Sequence, residues 1–189
     1  METILITGGS GLVGQRLSEL LVASNYNVRH LSRKTTGSEK FETFLWDLST
    51  EYIDQKAFEG VDHVIHLAGA PVANGKWTTN KKERILTSRV VTANLLLDKL
   101  KGQHLKSFIS ASGISYYGSI TTDLIFNERD KSGNDFLADV SKKWEDAAFK
   151  FETVADRVVT LRTGVVLSPK GGALARIAKP VKMGIGSAL

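Results

Sequence analysis

The residues with the clearest capacity for chemistry stand near the start of the chain. Thr7-Gly8-Gly9-Ser10-Gly11-Leu12-Val13-Gly14 holds two overlapping spacings, G-x-G-x-x-G at Gly9, Gly11 and Gly14 and T-G-x-x-G-x-x-G at Thr7, Gly8, Gly11 and Gly14. Glycines at these intervals allow a sharp strand-to-helix turn at positive φ, close approach of backbone to a pyrophosphate, and tight packing of helix on strand. The helix that follows offers free N–H groups and a favourable dipole. Gly8, Ser10, Gly11, Leu12 and Val13 are therefore read as a cradle for a dinucleotide pyrophosphate. The spacing alone is a weak signal, and a purely structural glycine turn is the alternative. Its place after the first apolar strand, opening an amphipathic helix, favours the cradle.

A second group lies at the end of the next strand, Leu31-Ser32-Arg33-Lys34. A site for NAD usually has an acid about 20 residues past the glycines to bind the ribose 2′-hydroxyl. Here a hydroxyl and two cations stand instead. Ser32 and Arg33 suit a 2′-phosphate, which Arg can engage bidentately, so NADP(H) is the expected cofactor. A solvated basic turn is the plainer alternative.

The elements that must position these groups follow from hydrophobic periodicity. Strands are expected at 3–6, 27–31, 44–46, 61–67, 105–110 and 157–161. Between them lie amphipathic helices: one carrying Leu17, Leu20 and Leu21, one opened by Asn80 with Glu83 three residues on, and one over 136–151. Strands alternating with crossover helices predict an α/β fold, a doubly wound parallel sheet of the Rossmann type in the order 3-2-1-4-5-6. After Leu167 the pattern fades into glycine-rich sequence with no closing helix. Expected domains are a nucleotide-binding unit over 1–167 and the truncated start of a substrate-binding region over 168–189, the small substrate domain itself being missing.

Bulk properties bound the rest. The 189 residues suffice for one α/β domain, and 42% hydrophobic with 24% charged residues is an ordinary globular balance. Cysteine is absent, which removes disulfides and thiolate metal sites and fits a cytoplasmic location. The start METILITGG lacks a basic n-region, and no apolar run approaches the roughly 20 residues of a membrane span. The net charge of +5 is spread along the chain, which argues against nucleic acid as a partner. His30, His63, His66 and His104 show no metal-ligand spacing, so no metal is expected; His66 reads as a hydrogen-bonded core residue.

Seven segments in order, TGGSGLVG at 7–14, LSRK at 31–34, HLAGAP at 66–71, KWTTNKKERILTSR at 76–89, SASGISYYG at 110–118, FLADVSKKWEDAA at 136–148 and LRTGVVLSPKGGAL at 161–174, resemble the sugar-nucleotide epimerase-like family of atypical, extended short-chain dehydrogenases, sometimes labelled cell division inhibitor. The resemblance covers essentially the whole chain, and members of that family continue into a C-terminal substrate-binding portion. It implies that Asp47 accepts from the adenine amino group. Leu67, Ala68 and Gly69 would pass the cofactor ribose, Arg89 would reach the cofactor phosphates, and Gly164 and Val165 the nicotinamide end. A helix cap, a buried strand end and a surface cation are the structural alternatives.

The resemblance also implies a Ser, Tyr and Lys that together move a proton at a substrate hydroxyl. Ser112, with Ser110 near, fits the Ser. Lys142 falls where the Lys belongs, but Ala138 stands where the Tyr should be, and alanine transfers no proton. Tyr116 or Tyr117 then supplies the phenol, or the protein binds NADP(H) without standard catalysis; aromatic packing and a solvated lysine are their structural alternatives. Tyr52 and Lys56 match Y-x-x-x-K by coincidence, ahead of the fourth strand. The expected function is an NADP-dependent oxidoreductase or epimerase acting on a hydroxyl or carbonyl substrate, a nucleotide sugar being one candidate. A non-enzymatic NADP(H)-binding sensor or regulator is the alternative. The expected partners are that small molecule and, as a further option, a second copy of the chain.

Overall fold

The computed structural model describes residues 1–35, 37, 39–73 and 75–185. The chain runs β1 (Thr3–Thr7), α1 (Leu12–Ala23), β2 (Asn27–Ser32), β3 (Glu42–Asp47), β4 (Tyr52–Ile53), β5 (His63–His66), α2 (Thr79–Lys99), β6 (Ser107–Gly113), α3 (Phe136–Phe149) and β7 (Val158–Thr163). A hairpin of β8 (Leu167–Ser168) and β9 (Gly171–Gly172) and a helix α4 (Leu174–Lys182) follow. The main sheet has the order β4-β3-β2-β1-β5-β6-β7. All its pairs are parallel except β3 with β4. Its six parallel strands therefore keep the doubly wound order expected from the sequence. Strand order reverses between β1 and β5, so a crevice opens at their carboxyl ends.

The pleat divides the apolar residues between two faces. Leu5, Val64 and Phe108 point toward α2 and α3 and pack with Phe58, Leu96, Ala147 and Phe151. Ile4, Ile6, Val28 and Ile65 point the other way and meet Leu17 and Leu21 of α1. Phe108 and Phe151 stack with centroids 3.5 Å apart, both fully buried. Burial of side chains this size stabilises by about 1.5–3 kcal/mol each. These two cores fix the strand ends whose loops make the crevice.

Besides shifts of one to three residues at strand ends, four features differ from the sequence reading. The two-residue β4 is too short and too mixed in pattern to show a period. Helix α2 is capped by Thr78, whose hydroxyl accepts from Lys81 N–H at 3.3 Å, rather than by Asn80. Trp77 just before it meets the Phe136 ring at 5.7 Å and pins that entry. Helix α3 stops at Phe149, and Phe151 is buried from the 3-10 turn Lys150–Thr153. Past Leu167 the chain does not fade: Pro169 and Lys170 turn the hairpin, Gly171 and Gly172 form its second strand, and α4 carries Leu174, Ile177, Ala178 and Val181 at helical spacing. Pro180 inside its last turn disguises it in the sequence. Residues 186–189 lie outside the described residues.

Candidate functional site

The glycine turn joins β1 to α1. Gly8 has φ +72°, and its carbonyl accepts from Gly11 N–H at 3.0 Å. A Cβ on Gly14 would lie 2.5 Å from the Gly8 oxygen, and one on Gly8 2.9 Å from Ala68 N. Gly11 caps α1 with no side-chain acceptor, and the first turn holds no acid. The N–H groups of Leu12 and Val13 therefore face outward at the positive end of the helix, with Ser10 and Val13 exposed beside them.

The turn rests on His30. A Cβ on Gly9 would come within 2.6 Å of that ring. Ser18 donates its hydroxyl to Gly14 O at 2.7 Å and lies 2.7 Å from His30 Nε2, tying β2 to the first turn of α1. Burial pushes the His30 pKa below its ordinary value, so the ring is neutral. Gly9, Ser10, His30, Ser32 and Phe41 line a cavity of about 320 Å³. Ser32 Oγ accepts from Lys34 N–H at 3.3 Å. Arg33 is exposed at the cavity's edge of the chain and has no ion pair among the described residues. Asp47 ends β3; its Oδ1 accepts from Ser49 Oγ at 2.7 Å and Ser49 N–H at 2.9 Å, which hold its carboxyl below the usual range.

At the end of β5 the backbone is clamped from two sides. Ala68 N–H donates to Thr7 Oγ1 (3.2 Å), which lies 2.8 Å from His66 Nδ1. His66 Nε2 lies 3.3 Å from Thr92 Oγ1, and that hydroxyl donates to Ser88 O at 2.8 Å. The imidazole must therefore be the Nε2–H tautomer, accepting from Thr7 and donating to Thr92. Full burial lowers its pKa to about 4. From α2, Ser88 Oγ accepts from Ala70 N–H at 2.8 Å, and Arg89 donates to Ala70 O through both terminal nitrogens at 3.2 Å. The Arg89 guanidinium is packed 5.0 Å from the Trp144 ring, has no carboxylate partner among the described residues, and burial lowers its pKa to about 10. Gly69 sits over it: a Cβ there would lie 3.0 Å from the guanidinium carbon. Leu67 and Ala68 are half-buried and Gly69 is exposed, with its N–H uncommitted among the described residues.

Ser112 points away from solvent toward α3. Its hydroxyl donates to Glu145 Oε1 at 2.6 Å, and both residues are buried. Glu145 is the acid of a bidentate pair with Arg162 of β7 (Nε to Oε1 2.9 Å, Nη2 to Oε2 2.8 Å), which raises the Arg162 pKa. Arg162 also donates to Tyr117 OH at 2.9 Å and lies flat over Tyr116, 3.4 Å from its centroid. Lys142 is exposed, without a partner among the described residues, in the same 850 Å³ cleft as Tyr116 and Arg162. One residue nearer the start of α3, Ser141 Oγ lies 2.9 Å from Ser115 Oγ. Ala138 is fully buried. Val165 is exposed just past β7. Tyr52 is on β4, at the opposite edge of the sheet.

The model of the NAD dependent epimerase/dehydratase family matches residues 4–139. The chain belongs to that family. An epimerase family protein of Mycobacterium bovis is 33% identical over 186 residues, 98% of this chain and 61% of the relative. The human epimerase family protein SDR39U1 (isoform 2), solved with NADPH, superposes with a TM-score of 0.81 at 27% identity, over 98% of this chain and 61% of that one. The nucleoside-diphosphate sugar epimerase of Corynebacterium glutamicum gives 0.79 at 32% identity, over 96% of this chain and 38% of that one. The chain thus spans about three fifths or less of the length of these relatives.

Within this family member, Gly9, Ser10, His30 and Ser32 line one cavity, while Leu67 and Ala68 pack against Gly8 of the same turn. Ser112, Tyr116 and Lys142 gather instead around the cleft beside α3 and β7, linked by Glu145 and Arg162. Sequence reasoning missed His30, Ser18, Thr92, Glu145 and Arg162. None has a motif spacing. Only the alternation that sends His30 and Ile6 to one face, and Ser112 to the face of α3, could have pointed to them.

Proposed function

We propose that this chain binds NADP(H) and is the nucleotide-binding part of an oxidoreductase or epimerase acting on a hydroxyl- or carbonyl-bearing substrate, with a nucleotide sugar as the leading class. One observation carries the cofactor choice. At the end of β2 a hydroxyl (Ser32) and two cations without ion pairs among the described residues (Arg33, Lys34) stand where an NAD site places an acid. The relative solved with NADPH supports the same choice. The residues present fit the group: Gly8, Gly9 and Gly14 pack the turn so closely on Ala68, His30 and the turn's own backbone that only glycine fits, and α1 opens without a side-chain acceptor for its first N–H groups.

In this reading Gly8, Ser10, Gly11, Leu12 and Val13 hold the pyrophosphate. Ser32 and Arg33 hold the 2′-phosphate, and Asp47 accepts from the adenine amine through its remaining oxygen. Leu67, Ala68 and Gly69 line the ribose, and Val165 the nicotinamide end. Arg89, half-buried and without an acid partner among the described residues, gives the phosphates a fixed positive field through the loop it clamps. Residues 1–167 are the nucleotide-binding unit and 168–189 begin the substrate side. When bound, the dinucleotide supplies hydride transfer. Tyr116 exchanges a proton with the substrate hydroxyl and Lys142 stabilises the phenolate, both from the α3 cleft. Ser112 orients the substrate oxygen only after its hydroxyl turns from Glu145.

A second reading, an NADP(H)-binding sensor without turnover, is favoured by two observations: Ala138 replaces the usual phenol, and the Ser112 hydroxyl is held by Glu145. Calorimetric titration with NADP+ and NAD+ tests the cofactor. Arg33→Ala is expected to weaken NADP+ by about 10- to 100-fold, the worth of a charged hydrogen bond, and to leave NAD+ unchanged. Equal affinity of the parent chain for both dinucleotides overturns it. NADPH oxidation with sugar nucleotides then separates enzyme from sensor.

A further inference from the structure

We propose that His30 is a proton-linked specificity residue: entry of a ribose 2′-phosphate beside the glycine turn is coupled to uptake of one proton at His30 Nδ1. This rests on the NADP(H) reading and extends it to a residue and a linkage that the motif does not contain.

The argument begins with the tautomer. Ser18 spends its hydroxyl proton on Gly14 O, so toward His30, 2.7 Å away, it can only accept. Nε2 therefore carries the hydrogen, and Nδ1 carries a lone pair. Among the described residues Nδ1 has no partner, yet it is not one of the buried orphan atoms, which are Lys81 Nζ and Trp144 Nε1. The ring lines the 320 Å³ cavity shared by Gly9, Ser10 and Ser32, and with Nε2 turned to Ser18, Nδ1 is the ring nitrogen left for a group entering that space.

The charges around that space make a proton useful. From α1 comes Glu19, paired with Lys40 at 3.0 Å and Arg16 at 3.7 Å, with Lys170 of the hairpin also acting on it. From the segment before β3 come Glu39 and Lys40, and Phe41 packs 4.8 Å from the imidazole. Arg29 on β2 is turned to Glu42 of β3 at 2.8 Å, and His66 bonds to Thr7. The cavity's own ionic side chains, Glu19, Glu39 and Lys40, leave one net negative charge. A phosphate dianion arriving there meets Arg33 and Lys34 only at the rim. Protonated at Nδ1, His30 keeps its Nε2–H bond to Ser18 and gains a second N–H that can donate to a phosphate oxygen. The proton comes from solvent, and no other bond changes. In the free protein burial keeps the ring neutral near pH 7, so it has a proton to gain.

The test is calorimetry of the 189-residue chain with NADP+ and NAD+ from pH 5.5 to 8.5, in buffers of different ionisation enthalpy. NADP+ is expected to take up nearly one proton more than NAD+ around pH 7, and the ratio of the two affinities to rise up to about tenfold per pH unit of acidification. His30→Gln, which keeps an N–H for Ser18 but cannot titrate, is expected to lose that extra uptake. NMR titration of the His30 imidazole in the unmodified chain, free and NADP+-bound, is expected to show its pKa rising on binding, and decides the matter if the variant does not fold. Equal proton uptake for both dinucleotides, uptake that survives in His30→Gln, or an unmoved His30 titration overturns the proposal. If NADP+ binds no better than NAD+ at any pH, the cofactor reading itself has failed, a different result from NADP+ preference without proton linkage.

Discussion

Acidification from pH 8 to pH 5 should destabilise this fold, and the size of the effect follows from His66. Its ring is fully buried, neutral, and bonded on both sides, to Thr7 at 2.8 Å and Thr92 at 3.3 Å. Burial brings its pKa from 6.5 to about 4. Between those values the unfolded chain binds the proton and the folded chain does not, so stability falls as pH falls through this window and is full above it. At pH 5 the loss from this one residue is about 2 kcal/mol, approaching about 3 kcal/mol near pH 4. For a chain of this size, about 2 kcal/mol corresponds to a melting temperature lower by roughly 4–8 °C. His30, also lowered by burial, adds in the same direction. The carboxylates held low by hydrogen bonds, such as Asp62 and Asp135, lose their contribution only below the usual carboxylate range, so work above pH 5 isolates the histidines. Urea unfolding at half-unit steps from pH 5 to 8 is the assay, with His66→Gln alongside. The parent slope should exceed that of His66→Gln by up to about 1.4 kcal/mol per pH unit in the window. A parent chain equally stable at pH 5 and pH 8 would refute the buried, neutral imidazole.

Glu145→Gln leaves Arg162 without its charge partner in a buried position and should cost about 3–5 kcal/mol by denaturant unfolding; a loss below about 1 kcal/mol would mean the pair is solvated. Gly9→Ala puts a Cβ 2.6 Å from the His30 ring and should lower stability by about 1–3 kcal/mol; an unchanged urea midpoint would show that the ring moves aside freely. Tyr52→Phe, on the far edge strand, should leave NADP+ affinity within error in calorimetry, and a large loss would place the site elsewhere.

Sequence alone determined the architecture and the glycine turn because both are local in origin. A strand of alternating apolar residues, a helix of 3.6-residue period and glycines at fixed intervals each act through residues near one another in the chain, and the right-handed crossover rule turns their succession into a sheet order. The cations after β2 were legible for the same reason. Short elements escaped: β4 has two residues, too few for any period, and α4 hides its apolar stripe behind two glycines and Pro180. What only the tertiary structure decided is which side chains meet across the sheet. Ser112 and Glu145 are 33 residues apart, and Glu145 and Arg162 are 17 apart; no spacing rule joins them. Their meeting depends on the pleat sending Ser112 toward α3 and on the register that sets Ser112 beside Arg162. His66 was legible as a hydrogen-bonded core residue and is one, beside Thr7, but His30 was one histidine among four until parallel pairing set it beside Ile6. Burial there removes water from each ring and obliges its nitrogens to find partners or open into a cavity, a consequence of packing that composition and periodicity do not encode.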